Sequence, residues 1–236
     1  MSEMHKRSAA MLGEEAMRIL QGKKVLVFGL GGVGGHAAEA LARGGIGNLV
    51  LIDGDVFDIS NCNRQLFATR DAIGRKKTDV AKERLLQINP ALSIEAHSFF
   101  YGKDPDPQGL FDGADYVLDA IDTVSSKLLL IETAKARQIP ILSCMGTGNK
   151  LDPIAFQVAD IYETQVCPLA RVMRTECRKR GIESLKVVYS REIPRACTAD
   201  SSNGRHAPGS LSFVPGVAGM IMAGEIIKDL IRLCIS

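Results

Sequence analysis

Short apolar runs alternate in the first half of the chain with longer segments in which apolar residues recur every three or four positions. The runs Lys24–Phe28 and Asn48–Ile52 are continuous, rich in Val, Leu and Ile, and bounded by glycine or polar residues, a pattern typical of buried strands. Residues 75–88 carry apolar side chains at helical spacing and end at Asn89-Pro90. Strands that alternate with helices over short connections predict an α/β fold whose parallel sheet is covered on both faces.

The same patterns predict the other elements. Further helices are expected at residues 14–20, 33–43, 125–137, 168–180 and 215–233, and further strands at 93–97, 116–121, 140–144, 154–158 and 186–189. Residues 191–209 are rich in Pro, Gly, Ser, Asn and Arg, which predicts a mobile loop. We therefore expect a Rossmann-like, doubly wound, mainly parallel sheet with a mixed C-terminal extension. A single domain would span residues 1–236, with a nucleotide-binding half at about 1–150 and a substrate and dimer half at about 151–236.

Composition narrows the class of protein. The 236 residues are 46% hydrophobic and 24% charged, and the net charge of +2 is too small to argue for nucleic acid by itself. Six cysteines, at positions 62, 144, 167, 177, 197 and 234, form no CxxC pair, which argues against a structural zinc site and favours free thiols in a reduced, cytoplasmic protein. The polar N-terminus lacks a signal core, and the apolar stretch 211–224 is too short for a membrane span.

A glycine-rich turn follows the first strand and opens a helix. Gly29, Gly31 and Gly34 satisfy the pattern G-x-G-x-x-G, and Gly32 lies between them. Glycines let the backbone turn tightly and approach a phosphate closely, while a helix N-terminus offers unpaired N–H groups and the positive end of a dipole. In this context the motif predicts a nucleotide phosphate site.

An acidic residue ends the second strand. Asp53 follows Gly34 by nineteen residues, where a carboxylate would accept hydrogen bonds from ribose hydroxyls. The alternative is that Asp53-Gly54 only makes a turn. At this point NAD and ATP fit equally well.

Three further features favour ATP. A polar cluster follows the acidic strand end and comprises Asn61, Asn63, Arg64 and Gln65. Lys77 begins the next predicted helix, and Asp122 ends the strand expected to neighbour Lys24–Phe28. Arg64 and Lys77 can neutralise phosphate charge and Asp122 can hold Mg²⁺, whereas nicotinamide chemistry needs neither. The alternatives are a surface salt bridge for Lys77 and a helix N-cap for Asp122.

These motifs resemble those of the ThiF/MoeB-like superfamily, whose fold activates ubiquitin-like proteins. The resemblance is carried by the glycine turn, Asp53, Lys77 and the segments 38–47, 61–65, 87–90, 119–122 and 151–153, and it covers nearly the whole chain. Within the superfamily the chain is most similar to the tRNA threonylcarbamoyladenosine dehydratase branch.

The resemblance implies roles for individual residues. Asp53 would hold the ATP ribose, Arg64 and Lys77 the phosphates, and Asp122 the Mg²⁺. The remaining residues expected to bind nucleotide are Gly29, Gly31, Gly32, Gly34, Asp55, Asn61, Asn63 and Gln65. It also implies a homodimer, in which an N-terminal arginine (here Arg7 is the nearest candidate) would reach the partner's site.

The resemblance implies a reaction as well. The branch adenylates the carboxylate of N6-threonylcarbamoyladenosine at position 37 of tRNA, and the carbamoyl nitrogen then closes a hydantoin ring. Three alternatives remain: an enzyme that adenylates a ubiquitin-like sulfur carrier, a nucleotide-binding or sulfur-relay adaptor without activity, and an NAD oxidoreductase. A cysteine-desulfurase or sulfur-acceptor system is a further possible partner.

Two basic clusters are candidates for contact with tRNA. The first, Arg171, Arg174, Arg178, Lys179 and Arg180, recurs at helical spacing, and the second comprises Lys186, Arg191, Arg195 and Arg205. Such charges are often only solvated surface. Cys167 and Cys197 lie where a sulfur-transfer thiol could sit, but without CxxC pairs structural or incidental thiols are favoured.

Overall fold

A seven-stranded sheet organises the chain. The computed structural model describes residues 3–196 and 208–235, and the side chains as far as Arg232. The strand order is β3-β2-β1-β4-β5-β7-β6, with every neighbouring pair parallel except the antiparallel β6–β7 pair at one edge. The predicted fold class is confirmed.

Seven strands and seven α-helices have the following bounds within the described residues. The strands are β1 (Lys24–Phe28), β2 (Asn48–Ile52), β3 (Ser93–His97), β4 (Tyr116–Asp119), β5 (Ile141–Cys144), β6 (Phe156–Asp160) and β7 (Lys186–Ser190). The helices are α1 (Lys6–Leu12), α2 (Glu14–Gly22), α3 (Gly34–Gly44), α4 (Lys77–Ile88), α5 (Val124–Ala136), α6 (Pro168–Lys179) and α7 (Val214–Ile235). Short 3₁₀ turns connect several of them.

Helices cover both faces of the sheet because its central strands are apolar on both sides. On one face, α2, α3, α4 and α7 pack on alternate residues of β1 and β2, and on the other face α5 and α6 pack on the remaining residues. Helix α7 approaches α3 so closely that a Cβ atom at Gly219 would lie 2.3 Å from the carbonyl oxygen of Val33. This contact fixes the start of α3, which follows the glycine turn.

Strand β4 pairs with β1 in parallel, and Asp119 lies opposite Phe28. The expected neighbour of the first strand is therefore correct, and the chain segments that leave β1 and β4 emerge side by side. The strand ends at Asp119 rather than at residue 121, because the Asp119 carboxylate accepts the N–H of Ile121 and turns the backbone away from the ladder.

Other boundaries also differ from expectation. The strand expected at 154–158 is β6, because Asp152 caps a 3₁₀ turn at Pro153–Ala155 and delays the strand. Helix α1 was not expected. The mobile loop predicted at 191–209 falls largely on residues 197–207, outside the described part of the chain. Within the described ranges, no helix combines the length and the apolar character that crossing a bilayer would need.

Candidate active site

A polar cavity of about 700 Å³ opens at the carboxyl ends of β1, β2 and β4. This is where ligands bind in doubly wound sheets, and the volume lies in the range of small-molecule sites. The predicted residues that line it are Gly29, Gly31, Gly32, Asp53, Asp55, Asn61, Arg64, Gln65, Lys77 and Asp122. Of the described residues predicted to bind nucleotide, Gly34 and Asn63 do not line the cavity.

The glycines of the turn are needed for different reasons. Gly29 has a φ of +89°, and a Cβ atom there would lie 2.7 Å from the carbonyl oxygen of Ala120. A Cβ atom at Gly34 would lie 1.8 Å from the carbonyl oxygen of Gly29. At Gly31 the nearest protein atom to such a Cβ would be the Nε2 of Gln65, 3.9 Å away. Gly29 and Gly34 thus serve packing, whereas Gly31 leaves an open cradle toward the cavity.

The N-terminus of α3 points its backbone at this cradle. Its N-cap residue, Val33, makes no side-chain capping bond. The N–H of Gly35 donates to the carbonyl oxygen of Gly31 at 3.1 Å, whereas the N–H of Gly34 has no backbone partner among the described residues. The helix dipole favours an anion at this end. Gly32, which also lines the cavity, packs against Pro215 at the start of α7. The geometry suits the phosphate groups of a nucleotide.

Asp53 ties the glycine turn to the end of β2. Its Oδ2 accepts the backbone N–H of Leu30 at 2.6 Å, and its Oδ1 accepts the N–H of Asp55 at 2.8 Å. Burial raises the pKa of this carboxyl, although Lys77 and the two backbone bonds act in the opposite direction. Asp53 therefore stabilises a turn, as the alternative for Asp53-Gly54 predicted, but it also lines the cavity.

Lys77 lies at the start of α4, where it is 5% exposed. Its Nζ contacts the Oδ2 of Asp55 at 2.8 Å, and the Asp55 side chain is 53% exposed. The expected alternative of a surface salt bridge is therefore only partly right: the pair exists, but the lysine is buried in the cavity wall. An anionic ligand at this wall would meet a preformed cation.

The segment from Asn61 to Gln65 contributes Asn61, Arg64 and Gln65 to the cavity lining. Arg64 is half-buried, and its Nη1 donates to the carbonyl oxygen of Ser60 at 3.0 Å and to the Oδ1 of Asn63 at 2.9 Å. Asn63 itself turns away and donates to the carbonyl oxygen of Ser210 at 3.0 Å. Gln65 is 7% exposed, and its Oε1 has no hydrogen-bond partner among the described protein atoms. A buried amide oxygen without a partner costs free energy unless a ligand or water satisfies it.

Asp122 follows β4 and is exposed at the rim of the cavity. The N-cap of α5 is Thr123, without a side-chain capping bond, so the N-cap reading of Asp122 is wrong. The Thr123 hydroxyl donates to the Oδ1 of Asp122 at 3.3 Å. Mg²⁺ in nucleotide sites usually binds one or two carboxylates together with phosphate and water oxygens. A single carboxylate beside a phosphate cradle fits that pattern.

Sequence reasoning missed two features near the cavity. The Phe100 ring packs on Gly54, where a Cβ atom would lie 2.6 Å from the ring, and the Nζ of Lys103 lies 5.1 Å from the ring centroid. Beneath the cavity, Asp119 and Lys127 form an ion pair whose side chains have no solvent exposure. A lysine and an aspartate at the edges of apolar segments resemble ordinary surface charges, so no pattern in the sequence distinguishes this pair.

The first basic cluster is largely engaged within the protein. Arg174 donates to the carbonyl oxygen of Thr164 at 2.7 Å, and Arg178 lies over the Tyr162 ring at 5.1 Å. Lys179 and Arg180 both pair with Glu176 on the same helix. The spacing of Glu176 from these two residues is a signal for such pairs that sequence reasoning overlooked.

The second basic cluster is dispersed. Lys186 pairs with Glu225 and Asp229 of α7 at 3.0 and 2.8 Å. Arg191 and Arg195 are exposed, while Arg205 lies outside the described residues. Arg191 and Arg195 are therefore the members placed to meet an RNA phosphate.

The described cysteines do not form a metal site. Cys144, Cys167 and Cys177 are buried and Cys62 is exposed, all as free thiols, and the thiol pKa of Cys144 is raised by burial to about 12. Among the described residues, no group of three or more His, Cys, Asp or Glu side chains could hold a metal ion. Cys197 and the side chain of Cys234 lie outside that part, so the absence of zinc stays a prediction.

The glycine cradle, the uncapped helix and the cationic walls define a nucleotide-binding α/β protein. The ThiF family model matches residues 5–233, and the chain belongs to the ThiF family. The predicted family is thereby confirmed.

Several proteins similar to this chain carry the same name. The chain is 41% identical to a tRNA threonylcarbamoyladenosine dehydratase of Bacillus subtilis, over 96% of this chain and 94% of the relative. It is 39% identical to one of Haemophilus influenzae, over 92% and 89% of the two chains. A crystal structure of the E. coli tRNA N6-threonylcarbamoyladenosine dehydratase in complex with ATP is similar with a TM-score of 0.88 and 32% identity, covering 98% of this chain and 95% of that one.

Proposed function

We propose that this chain is an ATP-dependent tRNA threonylcarbamoyladenosine dehydratase. It adenylates the carboxylate of N6-threonylcarbamoyladenosine at position 37 of tRNA and drives its cyclisation to the hydantoin. The observation that carries the proposal is the cavity, in which the Gly31 cradle, Lys77 and Arg64 face one space. Relatives of this name match nearly the full length of the chain, which favours the activity over other nucleotide chemistry.

The protein's part in the first step is to place positive charge. The substrate carboxylate attacks the α-phosphorus of ATP, the phosphoanhydride bond between the α-phosphorus and the oxygen that bridges it to the β-phosphorus breaks, and pyrophosphate leaves. Arg64, Lys77 and the positive end of the α3 dipole neutralise the charge that grows on the phosphates, and Asp53 orients the ribose. Mg²⁺, when bound at Asp122, would supply further neutralisation of phosphate charge.

The second step needs no nucleophile from the protein. The carbamoyl nitrogen attacks the activated carbonyl carbon, loses its proton, and expels AMP, so the net change is loss of one water. Because this nitrogen is tethered to the carbonyl, its effective concentration reaches on the order of 10⁵ M or more. No side chain with a reactive thiol or hydroxyl is required, in keeping with the burial of Cys144 and Cys167.

Several finer properties belong to the same proposal. Arg64, Lys77 and Asp122 act in catalysis, and Mg²⁺ accompanies ATP. The enzyme works as a cytoplasmic homodimer on tRNA, with its nucleotide-binding half at residues 1–150. A cysteine-desulfurase or sulfur-acceptor partner stays a prediction. The described cysteines of the substrate half at residues 151–236, Cys167 and Cys177, are both buried and offer such a partner no accessible thiol.

The main competitor adenylates the C-terminus of a ubiquitin-like sulfur carrier, so the test compares substrates. Pyrophosphate exchange is measured with ATP and Mg²⁺, once with tRNA that carries threonylcarbamoyladenosine and once with a carrier protein. Mass analysis of the tRNA nucleosides should show the modified adenosine lighter by one water. Exchange with the carrier alone would overturn the proposal. Unmodified tRNA is the matched control, because it offers the same phosphates without the carboxylate.

A further inference from the structure

A fully buried ion pair lies beneath the cavity, outside the residues that line it. The Nζ of Lys127 contacts the Oδ2 of Asp119 at 2.8 Å, and neither side chain is exposed to solvent. The hydroxyl of Ser143, on the neighbouring strand β5, donates to the same Oδ2 at 2.5 Å. The three side chains join the end of β4, the first turn of α5 and β5 into one hydrogen-bonded group.

This group holds one peptide unit on each side of Ile121. The Oδ1 of Asp119 accepts the backbone N–H of Ile121 at 3.1 Å. The Nζ of Lys127 donates to the backbone carbonyl oxygen of Ile121 at 3.0 Å. Both backbone polar groups of Ile121 are therefore bound by the charged pair, and the next residue along the chain is Asp122.

On the other side of Ile121, Ala120 is held by the segment Phe28–Gly29 at the start of the glycine turn. Ala120 donates its N–H to the carbonyl oxygen of Phe28 at 2.8 Å, and its own carbonyl oxygen lies against Gly29. The direction in which the chain enters Asp122 is thus set on one side by the phosphate loop and on the other by Asp119 and Lys127. The orientation of the Asp122 carboxylate depends on that direction.

Stability alone is a poor explanation for such a pair. Removing two charges from water costs about as much free energy as their attraction returns, and apolar side chains of similar volume often serve as well. A buried pair that also binds both polar groups of one residue instead gives a defined backbone geometry. When a group that orients a metal ligand is removed by mutation, the metal affinity commonly falls about 10- to 100-fold.

We propose that Asp119 and Lys127, supported by Ser143, are positioning residues that fix the Ile121 backbone so that the Asp122 carboxylate meets the Mg²⁺ of bound ATP. The inference rests on the role proposed for Asp122 above. The pair carries no net charge, and it acts through the geometry of the turn rather than by attracting nucleotide.

The test separates metal coupling from folding. ATP binding is measured by titration calorimetry with and without Mg²⁺ for the wild type, Lys127→Met and Ser143→Ala, with circular dichroism as a check of folding. We expect the tightening of ATP binding by Mg²⁺ to fall about 10-fold or more in Lys127→Met, and less in Ser143→Ala, while metal-free ATP binding is unchanged. Hydrogen exchange at the Ile121 amide should accelerate in both variants.

The matched control is Leu130→Ala. Leu130 is fully buried one turn further along α5, so its truncation destabilises the same helix without touching the Ile121 backbone. This variant should lose stability and keep the Mg²⁺ effect of the wild type. If it loses the Mg²⁺ effect as Lys127→Met does, the pair has only a structural role and the inference is wrong.

Asp122→Asn in the same assay separates this inference from the proposed function. If Asp122→Asn keeps the full Mg²⁺ effect, the metal role of Asp122 is wrong. If Asp122→Asn loses the effect while folded Lys127→Met keeps it, Asp122 binds the metal but the positioning role is overturned. Should Lys127→Met fail to fold, Ser143→Ala decides: an unchanged Mg²⁺ effect and unchanged exchange at Ile121 would refute the proposal.

Discussion

Asp53 accepts a hydrogen bond of 2.6 Å from the backbone N–H of Leu30, and this contact joins the end of β2 to the glycine turn. The other carboxylate oxygen accepts the N–H of Asp55 at 2.8 Å. A carboxylate oxygen can accept more than one hydrogen bond, so each oxygen keeps capacity for a ribose hydroxyl. One side chain can therefore shape the turn and bind the ribose.

Asp53→Asn should weaken ATP binding about 10-fold or more, because the amide keeps only one acceptor atom and a hydrogen bond to a charged acceptor is lost. Isothermal titration with ATP checks this. Asp58→Asn is the matched control, since Asp58 also lines the cavity but its carboxylate caps its own 3₁₀ turn through Ser60. Equal ATP affinity in wild type and Asp53→Asn would contradict the ribose assignment.

The same variant predicts a pH effect on stability. Burial raises the pKa of Asp53 above its unfolded value of 3.8. A carboxyl with a raised folded pKa contributes stability that is full below the unfolded pKa and is lost as the pH rises through the folded pKa. As the pH rises from about 3.8 toward neutrality, the free energy of unfolding of the wild type should therefore fall relative to that of Asp53→Asn. Urea unfolding at a series of pH values measures the difference.

Two glycines of the turn should respond differently to alanine. A Cβ atom at Gly34 would lie 1.8 Å from the carbonyl oxygen of Gly29, so Gly34→Ala should destabilise the fold by about 1–3 kcal/mol or more. At Gly31 the nearest atom would be 3.9 Å away, so the free energy of unfolding of Gly31→Ala should lie within about 0.5 kcal/mol of the wild-type value. The same variant should lose most ATP binding, because the added methyl group would occupy the cradle. Thermal unfolding and ATP titration distinguish them. Unimpaired ATP binding by Gly31→Ala would show that no phosphate approaches this cradle.

Lys76 and Lys77 are adjacent in the sequence but differ in solvent exposure. Lys77 is buried against Asp55 in the cavity wall, whereas Lys76 is exposed. Lys77→Met should reduce adenylate formation about 100- to 1,000-fold, because a preorganised cation at the phosphates is removed. Lys76→Met should leave the rate unchanged. Pyrophosphate exchange measures both, and similar rates for the two variants would contradict the phosphate role of Lys77.

The strand order around the site could be predicted because it follows from general rules. Apolar runs indicate buried strands, and in a doubly wound sheet the strand that ends near Asp122 must neighbour β1. The glycine turn could be predicted for the same reason, since only Gly tolerates the φ of +89° at Gly29 and the close approach at Gly34. Where local pattern and chain topology agree, sequence alone places the residues.

The environments of individual charges could not be predicted. Whether Lys127 is buried depends on Asp119 and Ser143, which lie on other elements, and no periodicity encodes that pairing. The start of β6 could not be predicted either, because the turn capped by Asp152 delays the strand to Phe156. The basic residues of α6 are a candidate surface for tRNA contact by their spacing alone, but the partners of Arg174 and Arg178, Thr164 and Tyr162, come from a separate turn.

Two arginines of α6 provide a test of RNA contact. Arg171 is exposed and has no hydrogen-bond or ion-pair partner from its side chain among the described residues, whereas Arg174 is bound to Thr164. Arg171→Ala should weaken tRNA binding and reduce the salt dependence of log K by about one charge, with stability unchanged. Arg174→Ala should instead lower stability by about 1 kcal/mol through the lost hydrogen bonds. If Arg171→Ala binds tRNA as the wild type does at every salt concentration, α6 is only solvated surface.

Thiol chemistry tests whether the chain itself transfers sulfur. Cys167 is 2% exposed, and burial raises the pKa of the Cys144 thiol to about 12, so Cys144 holds almost no thiolate at neutral pH. Of these thiols and Cys62, only the exposed Cys62 should react quickly with a thiol reagent in the native protein, and Cys144 and Cys167 should react only on unfolding. Because cyclisation uses a nitrogen of the substrate, Cys167→Ser should retain both adenylate formation and loss of water from the modified tRNA. Mass analysis of tryptic peptides and of tRNA nucleosides measures the two effects. A Cys167→Ser variant that folds but forms adenylate without product would assign this thiol a place in the reaction, contrary to the mechanism proposed here.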